Sequence, residues 1–198
     1  GLFSTQPINT ISNIVIFVSA YFAYRYIRIH RVKNRTILLL PFILVLTGVG
    51  SILWHSMPNL LTSFADTLPI SIFVLVSFFF LLNKILPSRG WVWGVLFVFI
   101  LVEFPFIFGI FPSFNGFLPY SMVFIFGLFV FFGLAKKYKT LLLQLVSTIP
   151  LFAIALFLRT VDLTICSTFS TGTHFLWHTL NALVFYLFIC LLVEIEKK

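Results

Sequence analysis

His174 and His178 stand four residues apart in Thr173-His174-Phe175-Leu176-Trp177-His178, so on a helix both imidazoles project from one face. Two imidazoles at that spacing suit two ligands of one zinc ion, and equally suit two histidines hydrogen-bonded to neighbouring helices. Ser51 and His55 repeat the spacing, and Asp66 follows 11 residues after His55. Three neutral imidazoles can make a tetrahedral zinc site with one position open to water, which is the arrangement of catalytic zinc.

The elements that must hold these residues are apolar. Of 198 residues, 61% are hydrophobic and only 9% charged, 28 are Phe, and the mean hydropathy is +1.13. Stretches such as Val74 to Leu82 and Val123 to Leu134 carry no charge, so most helical faces are apolar all round, and lipid is the natural solvent for them. At about 20 apolar residues per span plus a connection, the chain accommodates about seven spans. The breaks predict Ile8 to Tyr26, Thr36 to Ser56, Leu61 to Leu82, Trp91 to Phe111, Phe117 to Ala135, Thr140 to Leu158 and Gly172 to Val193. The expectation is an all-α integral membrane protein, one seven-transmembrane bundle over residues 1–198. Two cysteines, Cys166 and Cys190, exclude a disulfide scaffold or a Cys-rich metal cluster.

The formal charge of +8 does not mark a nucleic-acid binder, because the basic residues fall in short clusters between apolar stretches. Twelve of them, from Arg25 through Arg35, at Lys84 and Arg89, at Lys136 to Lys139 and at Lys197 and Lys198, alternate onto one side, against Arg159 alone on the other. The positive-inside rule then places the N-terminus outside and the C-terminus in the cytoplasm. With that topology Ser51 and His55 lie at the outer end of the second span, and Asp66, His174 and His178 at the outer beginnings of the third and seventh. All five reach one depth, which a bilayer about 30 Å thick would otherwise forbid.

The remaining polar residues have plainer expectations. Glu103, before Pro105 in the fourth span, hydrogen-bonds a neighbouring helix or touches substrate. Arg159 and Asp162, three residues apart, form a surface pair at the outer end of the sixth. Asn9 and Asn13 cap or join helices, Trp54 and Trp177 belong to an aromatic belt or a site wall, and His30 is a solvated loop histidine.

Gly50-Ser51-Ile52-Leu53-Trp54-His55, Asp66-Thr67-Leu68-Pro69 and His174-Phe175-Leu176-Trp177-His178, with Asn9-Thr10-Ile11-Ser12-Asn13 at the start of the first helix, resemble the alkaline ceramidase family. The likeness extends through all seven spans. The wider superfamily, with adiponectin and progestin receptors, hemolysin-III-like proteins and GPI-anchor lipid-remodelling enzymes, shares the Ser, His, Asp and paired-His arrangement. The resemblance implies a seven-helix bundle with zinc held by His55, His174 and His178, and with Ser51 and Asp66 contacting the metal-bound water or the substrate carbonyl. It also implies a long-chain lipid amide, such as ceramide, as substrate. Eukaryotic members hold calcium through acidic residues before the first helix; here Gly1-Leu2-Phe3-Ser4-Thr5-Gln6 has no carboxylate, so no calcium is expected. Cys166 matches a family outer-loop cysteine that pairs with the N-terminal segment, but no partner is present there.

The expected activity is zinc-dependent hydrolysis of a lipid amide to a fatty acid and an amine. In it Asp66 accepts the proton of the water and passes it to the leaving amine, and Ser51 donates a hydrogen bond to the carbonyl oxygen. Asp66 acting only to orient a ligand imidazole is the alternative role. The alternative functions are a receptor-like or hemolysin-III-like protein and a zinc that merely staples helices, with Asp66 as fourth ligand. A channel is disfavoured, since the ionisable groups gather at one end. The site would face the periplasm or exterior in a bacterium, and the ER or Golgi lumen in a eukaryote.

Overall fold

A computed structural model of the chain describes residues 6–107, 110, 114 and 116–198. Among them are eight α-helices: α1 (Pro7–Ser12), α2 (Ile14–Ile29), α3 (Arg35–Ser56), α4 (Leu60–Ile85), α5 (Arg89–Ile107), α6 (Phe117–Lys137), α7 (Leu142–Ile165) and α8 (His174–Glu196). With α1 and α2 counted as one, they give seven helices long and apolar enough to cross a membrane, and no strand occurs among the described residues. The expected spans recur with their ends moved by a few residues, while Phe111, where the fourth was to end, lies outside the described residues. The largest change is in the sixth, which continues past Leu158 to Ile165. No Gly or Pro interrupts Arg159 to Ile165, and both of its charged residues have work to do, as described below.

The break between α1 and α2 is a polar one. Asn13 is fully buried and its Nδ2 donates to the Asn9 carbonyl at 2.9 Å, taking an acceptor that the helix ladder would otherwise use. The α3–α4 connection is short because Asn59 and Thr62 close a capping box, with 3.0 Å bonds in both directions. That hairpin brings α3 against α4 so closely that a Cβ on Gly50 would overlap the Ala65 carbonyl. Glycine at this one position lets the two backbones meet.

The helix α8 is the axle of the bundle, with 11 of its 23 residues buried against three in α6. The fully buried side chains gather at one end, among them Ile27, Leu40, Leu82, Leu134, Leu191 and Ile195. Polar bonds close the same end. Tyr26 Oη donates to Glu194 at 2.9 Å, Asn34 Nδ2 donates to Glu196 at 3.0 Å, and Lys84 pairs with Glu196 at 2.8 Å. His30, expected to be solvated, instead caps α2 against the Tyr26 ring at 4.1 Å, with Nε2 3.7 Å from Glu194. Phe97, Phe104, Phe129, Phe132 and Phe157 are exposed on the periphery.

The opposite end is hollow. A chamber lies between α2, α3, α4, α6, α7 and α8. It adjoins an apolar cavity lined by Phe73, Phe78, Phe124, Phe131 and Phe188, and Val74, Val123, Phe152, Asn181 and Phe185 line both. Gly50→Ala should force α3 from α4 and cost about 1–3 kcal/mol, as overpacking does. Gly94→Ala, where a Cβ meets nothing within 4 Å, should cost nothing by the same thermal unfolding assay in detergent.

Candidate metal centre

Three imidazoles meet at the hollow end. The His55 ring lies 4.9 Å from those of His174 and His178, which are 4.6 Å from each other, centroid to centroid. One ligating atom from each falls within 4.8 Å of the others, close enough for small ring rotations to bring all three onto one ion. The first two turns of α8 contribute two of the rings and the last turn of α3 the third. His55 and His178 are buried, at 3% and 5% exposure, so no bulk water competes for their nitrogens.

The bonds behind the His55 and His178 rings fix which nitrogen each of these two presents. His55 Nδ1 lies 2.6 Å from Gln6 Oε1, and an amide oxygen only accepts, so Nδ1 carries the proton and Nε2 keeps the lone pair. Gln6 Oε1 is itself held by Asn9 Nδ2 at 2.9 Å, and Gln6 N donates to the His55 carbonyl at 3.2 Å. His178 Nδ1 lies 2.8 Å from Ser12 Oγ. The Ser12 hydroxyl donates to the Asn9 carbonyl at 2.8 Å, so it accepts from His178, and there too Nε2 is left to coordinate. Histidines that bind metals are prepared in this way by hydrogen bonds to the far nitrogen. Two of the three imidazoles are thus oriented as metal ligands are, and the three together form a group that could hold a metal ion.

Asp162 sets the start of α8. Its Oδ1 accepts from the backbone amides of Thr173 at 2.6 Å and His174 at 2.9 Å, supplying from α7 the cap that α8 does not make for itself. Gly172, at φ +59, has no Cβ to collide with that carboxylate. Arg159, one turn earlier on α7, reaches the site: Nη1 lies 3.1 Å from His174 Nδ1 and 3.3 Å from Nε2. The expected surface pair of Arg159 and Asp162 is thus replaced, each residue turning to a different part of α8.

Ser51 and Asp66 line the chamber with His174, His178 and Arg159. The close approach at Gly50 brings these two residues together. All five residues singled out by spacing are thus gathered at one end of the bundle. Trp177 is buried against Tyr120 and Phe152 as a site wall, while Trp54 is half-buried. Glu103 is buried at 6% exposure, and its Oε1 has no hydrogen-bond partner among the described residues, where a bond to a neighbouring helix was expected. Cys166 is exposed and Cys190 buried, both as free thiols. The segment Gly1 to Thr5, relevant to calcium, lies outside the described residues.

The parts not singled out for this site are Gln6 and Ser12 as partners of His55 and His178, and Arg159 and Asp162 around α8. One signal for Arg159 was available: it is the lone basic residue on its side of a strongly biased chain. If the three imidazoles hold a metal ion, Gln6→Leu should weaken its binding about 10- to 100-fold, and Ser12→Ala comparably, read with zinc by competition against a chromogenic chelator, because each leaves an imidazole unoriented. No protein-family model matches the chain, and no curated protein matches it.

Proposed function

We propose that the protein is a membrane-embedded, zinc-dependent hydrolase that cleaves the amide bond of ceramide or a related N-acyl lipid, in the manner of the alkaline ceramidases its motifs resemble. The observation that carries the reading is the convergence of three imidazoles, a Ser–Asp pair and an adjoining apolar cavity at one end of a seven-helix bundle. A metal serving only as a staple needs neither a chamber nor a cavity suited to an acyl chain. By the positive-inside rule the histidine end faces away from the cytoplasm.

His55, His174 and His178 would hold the zinc, which when bound supplies Lewis acidity and a nucleophilic water near neutral pH. The chain's own residues do the rest. The apolar cavity takes the acyl chain and excludes water from it, orienting the amide in the chamber. Asp66 accepts the proton of the attacking water at a carboxylate oxygen and returns it to the leaving nitrogen, so that carboxylic acid and free amine depart. As the water attacks and before the amine leaves, Ser51 directs its hydroxyl proton to the carbonyl oxygen on which negative charge develops, a contribution worth about 10²- to 10³-fold in rate.

Zinc stoichiometry on purified protein, measured with fatty-acid release from labelled ceramide and other N-acyl lipids, with and without chelator, tests the reading. One zinc per chain and chelator-sensitive release are expected; zinc without release from any lipid amide or ester would leave a receptor-like or structural metal. His174→Ala should lose zinc and turnover together. Asp66→Asn should keep zinc and lose about 10²- to 10⁴-fold in turnover. His30→Ala, at the closed end, should change neither.

A further inference from the structure

Five cations crowd the connection between α2 and α3 at the closed end of the bundle: Arg25, Arg28, Arg31, Lys33 and Arg35, all exposed. None of them meets a carboxylate among the described residues. The two acids at that end are engaged elsewhere, Glu194 by Tyr26, His30 and Lys197, and Glu196 by Asn34 and Lys84.

Arg31 occupies a position where glycine is the usual residue. The end of α2 is closed by two backbone bonds, from Arg31 N to the Arg28 carbonyl at 3.1 Å and from Val32 N to the Ile27 carbonyl at 3.2 Å. This cap requires a left-handed residue at its turn, and Arg31 supplies it at φ 52. Glycine takes that conformation freely, whereas a residue with a Cβ strains the backbone there. No ion pair of Arg31 among the described residues offsets the strain. Orientation across a membrane does not require a cation at this one position either, because Arg25, Arg28, Lys33 and Arg35 flank it.

Apolar stripes run from the cations along both helices. On α2, Val18, Tyr21, Arg25 and Arg28 recur at helical spacing on one face, with Val18 and Tyr21 exposed and the Arg25 guanidinium 6.0 Å from the Tyr21 ring centroid. On α3, Arg35, Leu39, Phe42 and Leu46 recur in the same way, and the last three are exposed. Cations at the end of a span stand at the level of phospholipid headgroups, and the span itself at the level of the acyl chains. Arginine's planar fork matches a phosphodiester. A soluble phosphate would engage the cations alone, whereas a phospholipid engages the cations and the stripes together.

We propose that the α2–α3 corner binds the headgroup of an anionic phospholipid, with Arg31 held at a glycine position for its charge and the acyl chains laid along the exposed stripes of α2 and α3. The site lies at the end of the bundle opposite the histidines and is independent of the amidase reading.

The test is native mass spectrometry of the full-length protein in a neutral detergent, titrated with dioleoylphosphatidylglycerol, with dioleoylphosphatidylcholine, and with glycerol phosphate as competitor. The anionic lipid should bind about tenfold or more tightly than the choline lipid. Arg31→Gly should lower that preference about fivefold. In lipid-free detergent the same variant should melt at the same temperature or higher, because glycine relieves the strained turn. Adding Arg25→Gln, Arg28→Gln and Arg35→Gln should bring the preference to about one. Lys136→Gln with Lys139→Gln, which removes two exposed cations at and just after the end of α6, should leave it unchanged. Absence of a preference in the unaltered protein, or its survival in the fourfold variant, overturns the proposal. So does an equal loss in the Lys136 and Lys139 variant, which would make net charge the cause, or a lower melting temperature in Arg31→Gly, which would assign Arg31 to the fold. Displacement of the lipid by glycerol phosphate at matched concentration overturns it in favour of a soluble phosphate site.

Discussion

The first turn of α8 imposes the constraint on which the rest of the histidine end depends. Two of the three imidazoles stand on it, and the amides at a helix start need acceptors wherever water is scarce. Thr173 makes no side-chain cap, and Asp162 supplies the acceptor from α7. One carboxylate thereby ties two helices together and fixes the height at which His174 and His178 face His55. Gly172 belongs to the same device, because only a residue without a Cβ accommodates both the turn and the carboxylate.

Opposite α8, the α3–α4 hairpin does the corresponding work with backbone instead of charge. The capping box shortens the connection, Gly50 allows contact with Ala65, and Ser51 is delivered to the chamber beside Asp66 as a result. The chain ahead of α2 completes the arrangement: Gln6 and Ser12 each satisfy one imidazole nitrogen and so turn the other inward. The buried Asn13 makes the bend from which Ser12 reaches α8. Each of these contacts joins elements far apart in sequence, so the centre is a property of the whole bundle end.

The division of the bundle into a sealed end and a hollow end follows from side-chain volume and polarity together. Leu and Ile fill the space between α2, α3, α4 and α8 at one end, where Glu194 and Glu196 gather polar partners from α2, α4 and the loop before α3. At the other end phenylalanines line a cavity without filling it, and the polar chamber opens from its side. An amide at the junction would have its apolar tail and its polar end sorted before any chemistry, which is where binding energy is most usefully applied.

The sequence by itself determined the seven apolar helices, because a helix that must satisfy its own backbone bonds in lipid announces itself by length and composition. It also determined that Ser51, His55, Asp66, His174 and His178 share one end of the bundle, since four-residue spacing and alternating direction leave no other geometry. Only the tertiary structure decided what Arg159 and Asp162 do. Their three-residue spacing is the same for a surface pair as for two residues serving α8, and the difference lies in where α8 begins and how close α7 comes to it. The same is true of Gln6 and His55, 49 residues apart, and of Ser12 and His178, 166 apart. Hydrogen bonds that set a tautomer act over about 3 Å, and no local pattern along a chain specifies a distance between remote residues.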